Sequence, residues 1–393
     1  MPAASILIKP TSANCNMDCK YCFYKCLSSN REKYSLGFMS EATLASLIKN
    51  AITYGEDYLT FAFQGGEPTL AGLPFFKKAV ALQQKYLTEE ICRVPSKRNM
   101  VIENTIQTNG LLLDDEWADF FHENHFLVGI SLDGPRKIHD YGRVDAAGNG
   151  TFERLMHAIS ILKKHKVDYN ILTVITEETA QKASTLYKFY KRNDFRYVQL
   201  IPCMDEVGRN QSSLGKSINS NPYAVTAKQY GIFLKEFFDL WYEDFKRGDI
   251  MDVRMFSNWA QMTVGYPPEE CGMCGSCKCY FVVEGDGSVY PCDFYAFGDN
   301  KLGTVQDSFE QLIHSEKVKL FEEKSQRVET SCQCCEHFAL CRGGCRRWRE
   351  QGETNQLGIN YLCEGYHDFF DHAKERLYKL GRTIVDPTAR RFL

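Results

Sequence analysis

Apolar positions in roughly the first 235 residues follow two alternating patterns. Short apolar runs at 6–8, 59–63, 101–107, 126–132, 169–175 and 197–201 read as strands. Longer amphipathic stretches at 40–54, 74–86, 114–124, 151–165 and 179–192 read as helices, with Ser40 and Asp114 as N-caps. Six strands separated by helices predict an α/β fold with a parallel sheet and crossover helices. The count leaves an open sheet and a barrel equally possible. Residues 202–222 are rich in Gly, Ser and Asn and read as a loop or lid. A helix follows at 228–247, carrying Phe233, Phe237, Phe238, Leu240, Trp241 and Phe245. From Cys271 the periodicity fades and cysteines accumulate. The chain from Tyr366 reads as a helix and a basic tail.

At 393 residues the chain is long enough for two or three domains. We expect a first domain over 1–240, and a linker helix, cysteine-rich domain and terminal helix over 241–393. A net charge of −3 gives no reason to expect nucleic acid. No run approaches the roughly 18 apolar residues of a membrane span, and the first ten residues lack a signal-peptide core. The 17 cysteines, an odd number, do not suit a secreted disulfide scaffold. The expectation is a soluble protein of a reducing cytoplasm.

Three cysteines stand within eight residues just after the first strand: Cys15, Cys19 and Cys22, as C-x3-C-x2-C. Thiolates so spaced can converge on one soft metal centre. On a four-iron cluster they leave one iron open to a substrate or cofactor. Zinc is the alternative, although structural zinc sites favour paired C-x2-C units and four closed ligands; an incidental run of buried cysteines is another. Further motifs end the next three strands: Gln64-Gly65-Gly66-Glu67-Pro68, Gln107-Thr108-Asn109-Gly110 and Ser131-Leu132-Asp133-Gly134-Pro135. In βα architectures function collects on those loops.

With Tyr21 before its last cysteine, the cysteine octet resembles the signature of the radical S-adenosylmethionine (SAM) superfamily. The resemblance implies a partial (β/α)6 barrel and a 4Fe–4S cluster on Cys15, Cys19 and Cys22. It implies SAM on the fourth iron, cleaved on reduction to methionine and a 5′-deoxyadenosyl radical. Gly65-Gly66-Glu67 resembles the family's GGE motif, which receives the SAM amino group; alone it reads as a turn. Ser131 and Arg143 match SAM-contacting positions, Ser131 for the ribose or carboxylate and Arg143 for the carboxylate. Their plain readings are an N-cap serine and a surface arginine. Met204 matches an adenine-lining position and reads equally well as a core or lid methionine. Cys26 lies outside the family pattern and is expected not to ligate.

Eleven cysteines lie between Cys271 and Cys363. Cys277, Gly287, Cys292, Cys332, Cys335, Cys341, Cys345 and Cys363 are spaced like the SPASM extension, which binds two auxiliary 4Fe–4S clusters. The resemblance implies one cluster on Cys271, Cys277, Cys292 and Cys345, and a second on Cys332, Cys335, Cys341 and Cys363. Zinc-ribbon packing is the alternative. Cys274, Cys279 and Cys334 fall outside the ligand pattern, and Cys92 and Cys203 read as ordinary buried thiols. Asp293 adjoins a ligand cysteine and is the candidate general base; its plain reading is a surface or capping aspartate.

The segments 7–10, 61–70 and 289–295 resemble anaerobic sulfatase-maturating enzymes. That family implies oxidation of a cysteine, or a serine, of a sulfatase to Cα-formylglycine. The implied partners are a sulfatase with a Cys/Ser-x-Pro-x-Arg motif and an electron donor such as flavodoxin or ferredoxin. Tyr24 and Gln64 are expected to position the peptide. The alternatives are a SPASM enzyme that crosslinks peptides through thioether or carbon–carbon bonds, and a non-catalytic metal scaffold.

Overall fold

The computed structural model describes residues 4–29, 31–204, 221–351 and 356–386. The chain divides into two compact units, each drawn from separated stretches. The first takes Met1–Ser131, Asp140–Tyr169 and Lys278–Phe321; the second takes Leu132–His139, Asn170–Cys277 and Glu322–Leu393.

The expected strands form as β1 (Ala4–Ile8), β2 (Tyr58–Phe63), β3 (Val101–Thr108), β4 (Leu127–Ser131), β5 (Tyr169–Ile175) and β6 (Tyr197–Pro202). In the first unit β1 to β4 pair in sequence and in parallel. Residues alternate faces along β2, so Leu59, Phe61 and Phe63 are buried and their neighbours less so. Ser40 and Asp114 cap their helices as expected, their side chains accepting from the backbone N–H of Thr43 and Trp117. The stretch expected as one helix at 179–192 is broken into Glu177–Ala180 and Ala183–Arg192.

Among the strands that the sequence pattern misses are β7 (Asp252–Val253), β8 (Phe281–Val283), β9 (Ser288–Tyr290) and β10 (Gly303–Thr304). Two or three residues are too few to display a period. Yet β8 adds in parallel to the free side of β1, pairing Ile6 with Phe281 and Ile8 with Val283. β9 and β10 continue antiparallel. Leu7, Leu27, Val282, Tyr290 and Ala296 make a buried cluster beneath this edge. The edge of the parallel sheet and the stretch that carries Cys292 and Asp293 thus belong to one compact unit.

In the second unit β5, β6 and β7 pair in parallel. The helix Ala227–Arg247 begins in a capping box of Thr226 and Gln229 and ends on left-handed Gly248. Its aromatic face is core. Phe238 meets Phe256 at 5.0 Å, and Trp259 meets Phe369 and Phe370 at 5.0 Å each. Phe369 and Phe370 lie on the helix Cys363–Val385, which crosses Ala227–Arg247 at two glycines. A Cβ on Gly365 would stand 2.0 Å from the Ala227 carbonyl oxygen, and one on Gly231 2.7 Å from the Gly365 Cα. No described helix is long and apolar enough to cross a membrane. Of the expected loop at 202–222, residues 205–220 lie outside the described residues, as do the last seven residues of the expected tail.

Gly365→Ala should destabilise the second unit, since the new methyl meets backbone that cannot rotate away. The cost expected for such overpacking is about 1–3 kcal/mol, read as a lower midpoint in urea unfolding.

Candidate active site

The cysteine loop is held on both sides by backbone of the first unit. On one side Gly66 N–H donates to the Ser12 carbonyl and Glu67 N–H to the Asn14 carbonyl, each at 2.8 Å. The approach is so close that a Cβ on Gly66 would fall 2.0 Å from the Asn14 oxygen. Gly65 has φ +128°, open to glycine alone. On the other side Asp18 N–H donates to Val144 and Lys20 N–H to Gly142. Tyr21 packs against Gly142, where a Cβ would meet its ring at 2.3 Å. The buried Arg143 guanidinium sits 5.5 Å from the Tyr21 ring centre. Two of the residues expected at the SAM site are therefore packed on the cysteine loop itself. Ser131, at the end of β4, is buried.

Cys15 keeps one exposed side, yet the protein around its sulfur raises the thiol to about 12; Glu67, Cys19 and Cys22 add to the rise, against the Met17 N–H. Its neighbours are the other two cysteines of the motif, so the three thiols suit one shared cationic centre, which would favour their thiolate forms. Asn109 Nδ2 donates to Asn16 Oδ1 at 2.7 Å and reaches Cys15 Sγ at 3.8 Å. The sequence reading noted Asn109 only as part of a strand-end motif.

Glu67 is almost fully buried. Its Oε1 accepts from Thr69 N–H (3.0 Å), Thr69 Oγ1 (2.6 Å) and Thr108 Oγ1 (2.7 Å), and its Oε2 from Asn109 N–H (2.7 Å). Burial still outweighs these donors and raises its carboxyl above the ordinary value. A carboxylate has about four acceptor positions, so Oε1 is saturated and Oε2 has room for one more donor. Glu67 is first the clamp that fixes the loops after β2 and β3.

Asp293, read as a candidate base or a capping aspartate, is buried within a chain of charges. Lys9, at the end of β1 and 1 % exposed, sets its Nζ 2.7 Å from Asp293 Oδ1 and 3.2 Å from Glu284 Oε1. Arg31 pairs with Glu284 at 2.6 Å. Two cations and two carboxylates balance. Burial pushes the Glu284 carboxyl up, but Lys9 and Arg31 prevail and hold it below the usual range. Tyr24 Oη donates to Asp293 Oδ2 at 2.6 Å and receives Gln64 Nε2 at 3.0 Å. Burial, then Asp293, pushes the Tyr24 phenol well up. Tyr280 Oη lies 3.5 Å from Cys292 Sγ and accepts the Asp293 N–H at 3.3 Å. Sequence reasoning gave no role to Lys9, Arg31, Tyr280 or Glu284. A lysine within Leu-Ile-Lys-Pro carries no signal of its burial, and its partners are more than 270 residues away.

In the second unit, Cys332, Cys335, Cys341 and Cys363 influence one another electrostatically. Burial raises the Cys341 thiol to about 11, with Cys363, Cys332 and Cys335 adding to the rise. Four thiols coupled in this way fit a fully ligated centre. Burial likewise raises Cys345, with Cys277 as its nearest thiol influence. Cys271 is exposed and opens a short turn. Cys274 Sγ is directed at the carbonyls of Pro268 and Glu270. Cys292 belongs to the first unit. Buried Arg349 donates to the carbonyls of Arg327 and Ser325, both at 2.6 Å, and Ser325 Oγ accepts the Cys277 N–H at 2.7 Å. The Met204 side chain is half-buried, and its carbonyl accepts from Asn221 Nδ2 at 3.3 Å. Cys203 is buried as expected, but Cys92 is exposed near the end of the helix Leu73–Arg93.

Gly66→Ala should force the two loops apart and lower the iron bound after anaerobic reconstitution. Lys9→Met leaves buried Asp293 without its cation and Glu284 with Arg31 alone, and is expected to cost about 3–5 kcal/mol. Adding Glu284→Gln should recover part of that loss in denaturant unfolding.

Residues 10–190 match the radical SAM superfamily model, and residues 268–336 match an iron–sulfur cluster-binding domain, SPASM. The chain is 42 % identical to the cysteine-type anaerobic sulfatase-maturating enzyme of Clostridium perfringens, over 98 % of this chain and 100 % of the relative. It is 34 % identical to the serine-type enzyme of Bacteroides thetaiotaomicron, over 98 % and 92 %. A solved structure described as native anSMEcpe with bound AdoMet and Cp18Cys peptide superposes with a TM-score of 0.88 at 41 % identity, covering 98 % of this chain and all of that one. With a radical SAM partial (β/α)6 barrel followed by a cysteine-rich SPASM domain, the chain belongs to the anaerobic sulfatase-maturating enzymes.

Proposed function

We propose that this protein oxidises a cysteine of a sulfatase to Cα-formylglycine. The observation that carries the reading is the buried carboxylate of Asp293, adjoining Cys292 and fixed by Lys9 and Tyr24. Cysteine is preferred to serine as substrate because the cysteine-type relative is the more similar of the two described above.

Cys15, Cys19 and Cys22 hold the SAM-cleaving cluster. The auxiliary ligand sets are Cys271, Cys277, Cys292 and Cys345, and Cys332, Cys335, Cys341 and Cys363. When bound, these groups and SAM supply the hydrogen-abstracting radical and a sink for the second electron. The protein's own side chains do the rest. The backbone around Gly65 and Gly66 and the free acceptor position of Glu67 Oε2 receive the SAM ammonium. Ser131, Arg143 and Tyr21 line the remainder of the SAM site, with Met204 toward the adenine.

Once the substrate Cβ has lost a hydrogen atom, one electron and the thiol proton must leave to give a thioaldehyde. Asp293 takes that proton. Lys9 Nζ lies 2.7 Å from its Oδ1, and Gln64 holds the Tyr24 hydroxyl so that its hydrogen points at Oδ2, leaving a second lone pair for the substrate. Water then converts the thioaldehyde to the aldehyde with release of hydrogen sulfide. The barrel is assigned to 1–240 and the cluster region to 241–393. The setting is the cytoplasm, the electron donor a flavodoxin or ferredoxin, and the target motif Cys-x-Pro-x-Arg.

Reconstituted enzyme, SAM, a strong reductant and a Cys-x-Pro-x-Arg peptide should yield an aldehyde peptide and 5′-deoxyadenosine by mass spectrometry. 5′-Deoxyadenosine with a crosslinked or unchanged peptide would refute the sulfatase reading. Asp293→Asn should keep SAM cleavage but lower aldehyde formation by about 10²–10⁴-fold, the usual worth of a general base. Full product from that variant would remove Asp293 from the role.

A further inference from the structure

Away from the cysteines, the second unit brings two imidazoles and a carboxylate together. His337 stands in the turn between Cys335 and Cys341, with its side chain 2 % exposed. Its Nε2 lies 2.8 Å from Asp371 Oδ1. The other carboxylate oxygen, Oδ2, lies 3.1 Å from His367 Nδ1. His367 and Asp371 are one turn apart on the helix Cys363–Val385 and so project from the same face. One donor atom from each of the three residues falls within 4.8 Å of the others.

The surroundings hold this arrangement open to a cation. The His337 ring is walled by Phe370, 5.6 Å between centroids at 39°, and by the His367 ring, 4.7 Å away and nearly perpendicular at 78°. The next cation along the helix, Lys374, is drawn aside by Glu336 at 3.0 Å. His367 and Asp371 are about half exposed, so a metal could enter from solvent and complete its shell with water.

We propose that His337, His367 and Asp371 form a binding site for a divalent cation of the zinc class, separate from the iron–sulfur ligands. Two imidazole nitrogens and one carboxylate oxygen suit zinc, which takes three protein ligands and water readily. With metal–ligand bonds of about 2.0–2.2 Å, tetrahedral donors stand about 3.3–3.5 Å apart. The three donors lie within 4.8 Å of one another, so they reach that spacing by side-chain rotation. No sulfur donor is involved, so the site does not compete with the clusters for its ligands. Its place gives it a purpose. It would tie the turn carrying Cys335 and Cys341 to the helix headed by Cys363, three of the four proposed ligands of the second auxiliary cluster. A simple hydrogen-bonded trio is the competing account; it holds the same contacts but binds no metal.

The test uses the cluster-loaded enzyme. It is incubated anaerobically with zinc, cleared of loose metal by gel filtration with a weak chelator, and assayed for zinc and iron by mass spectrometry. Wild type should retain one zinc per chain more than His367→Ala or Asp371→Asn, at equal iron. Zinc should raise its melting temperature but not theirs. Both substitutions are at half-exposed positions, and equal iron confirms that the variants are folded and loaded. Equal zinc in wild type and variants, none in wild type, or zinc gained only as iron is lost would each overturn the proposal. Because the readout is metal content, its failure leaves the sulfatase reading untouched.

Discussion

An ammonium buried between two carboxylates is the constraint on which this structure turns. Removing Lys9 from water is costly, and two anions 2.7 and 3.2 Å away are what make it tolerable. Neither anion is local. Asp293 and Glu284 come from the segment that adds β8 to β1, so the charge is balanced only when that segment is docked. The same lysine thus joins the end of β1, from which the cysteine loop departs, to Asp293 beside Cys292. Arg31 completes the balance, with Nη2 on Glu284 and Nε on the Ala296 carbonyl.

The glycine contacts work in a different way. At Gly66 and Gly142 nothing is attracted strongly; the absence of a side chain permits backbone or an aromatic ring to come within contact distance. The charge network fixes which segments meet, and the glycines fix how closely the loops around Cys15, Cys19 and Cys22 approach.

Much of this was legible in the sequence, and the boundary has physical causes. Six strands were found because each is long enough to show a period, and Ser40 and Asp114 because capping is local chemistry. The cysteine spacing, the GGE turn and Asp293 were readable as motifs. Strands β7 to β10 were not, since two or three residues carry no period. Lys9 and Glu284 were not, since nothing in their own neighbourhoods says that a distant segment will bury them. Arg349 carries no local sign of burial either, yet it is buried against the carbonyls of Arg327 and Ser325. Burial of a charge is decided by tertiary partners, and a single sequence does not record those.

The pairing of β1 with β8 also bears on how the chain is made. Ile6 and Phe281 are separated by more than two thirds of the sequence. Contacts so distant close a large loop and form slowly. During synthesis one side of β1 stays without its neighbour, an exposed strand edge of the kind that invites wrong partners, until the cysteine-rich segment has left the ribosome. The order of emergence therefore keeps the barrel edge unfinished until the segment bearing Cys292 and Asp293 is at hand, and completion of that edge and burial of Lys9 against Asp293 and Glu284 become one folding event.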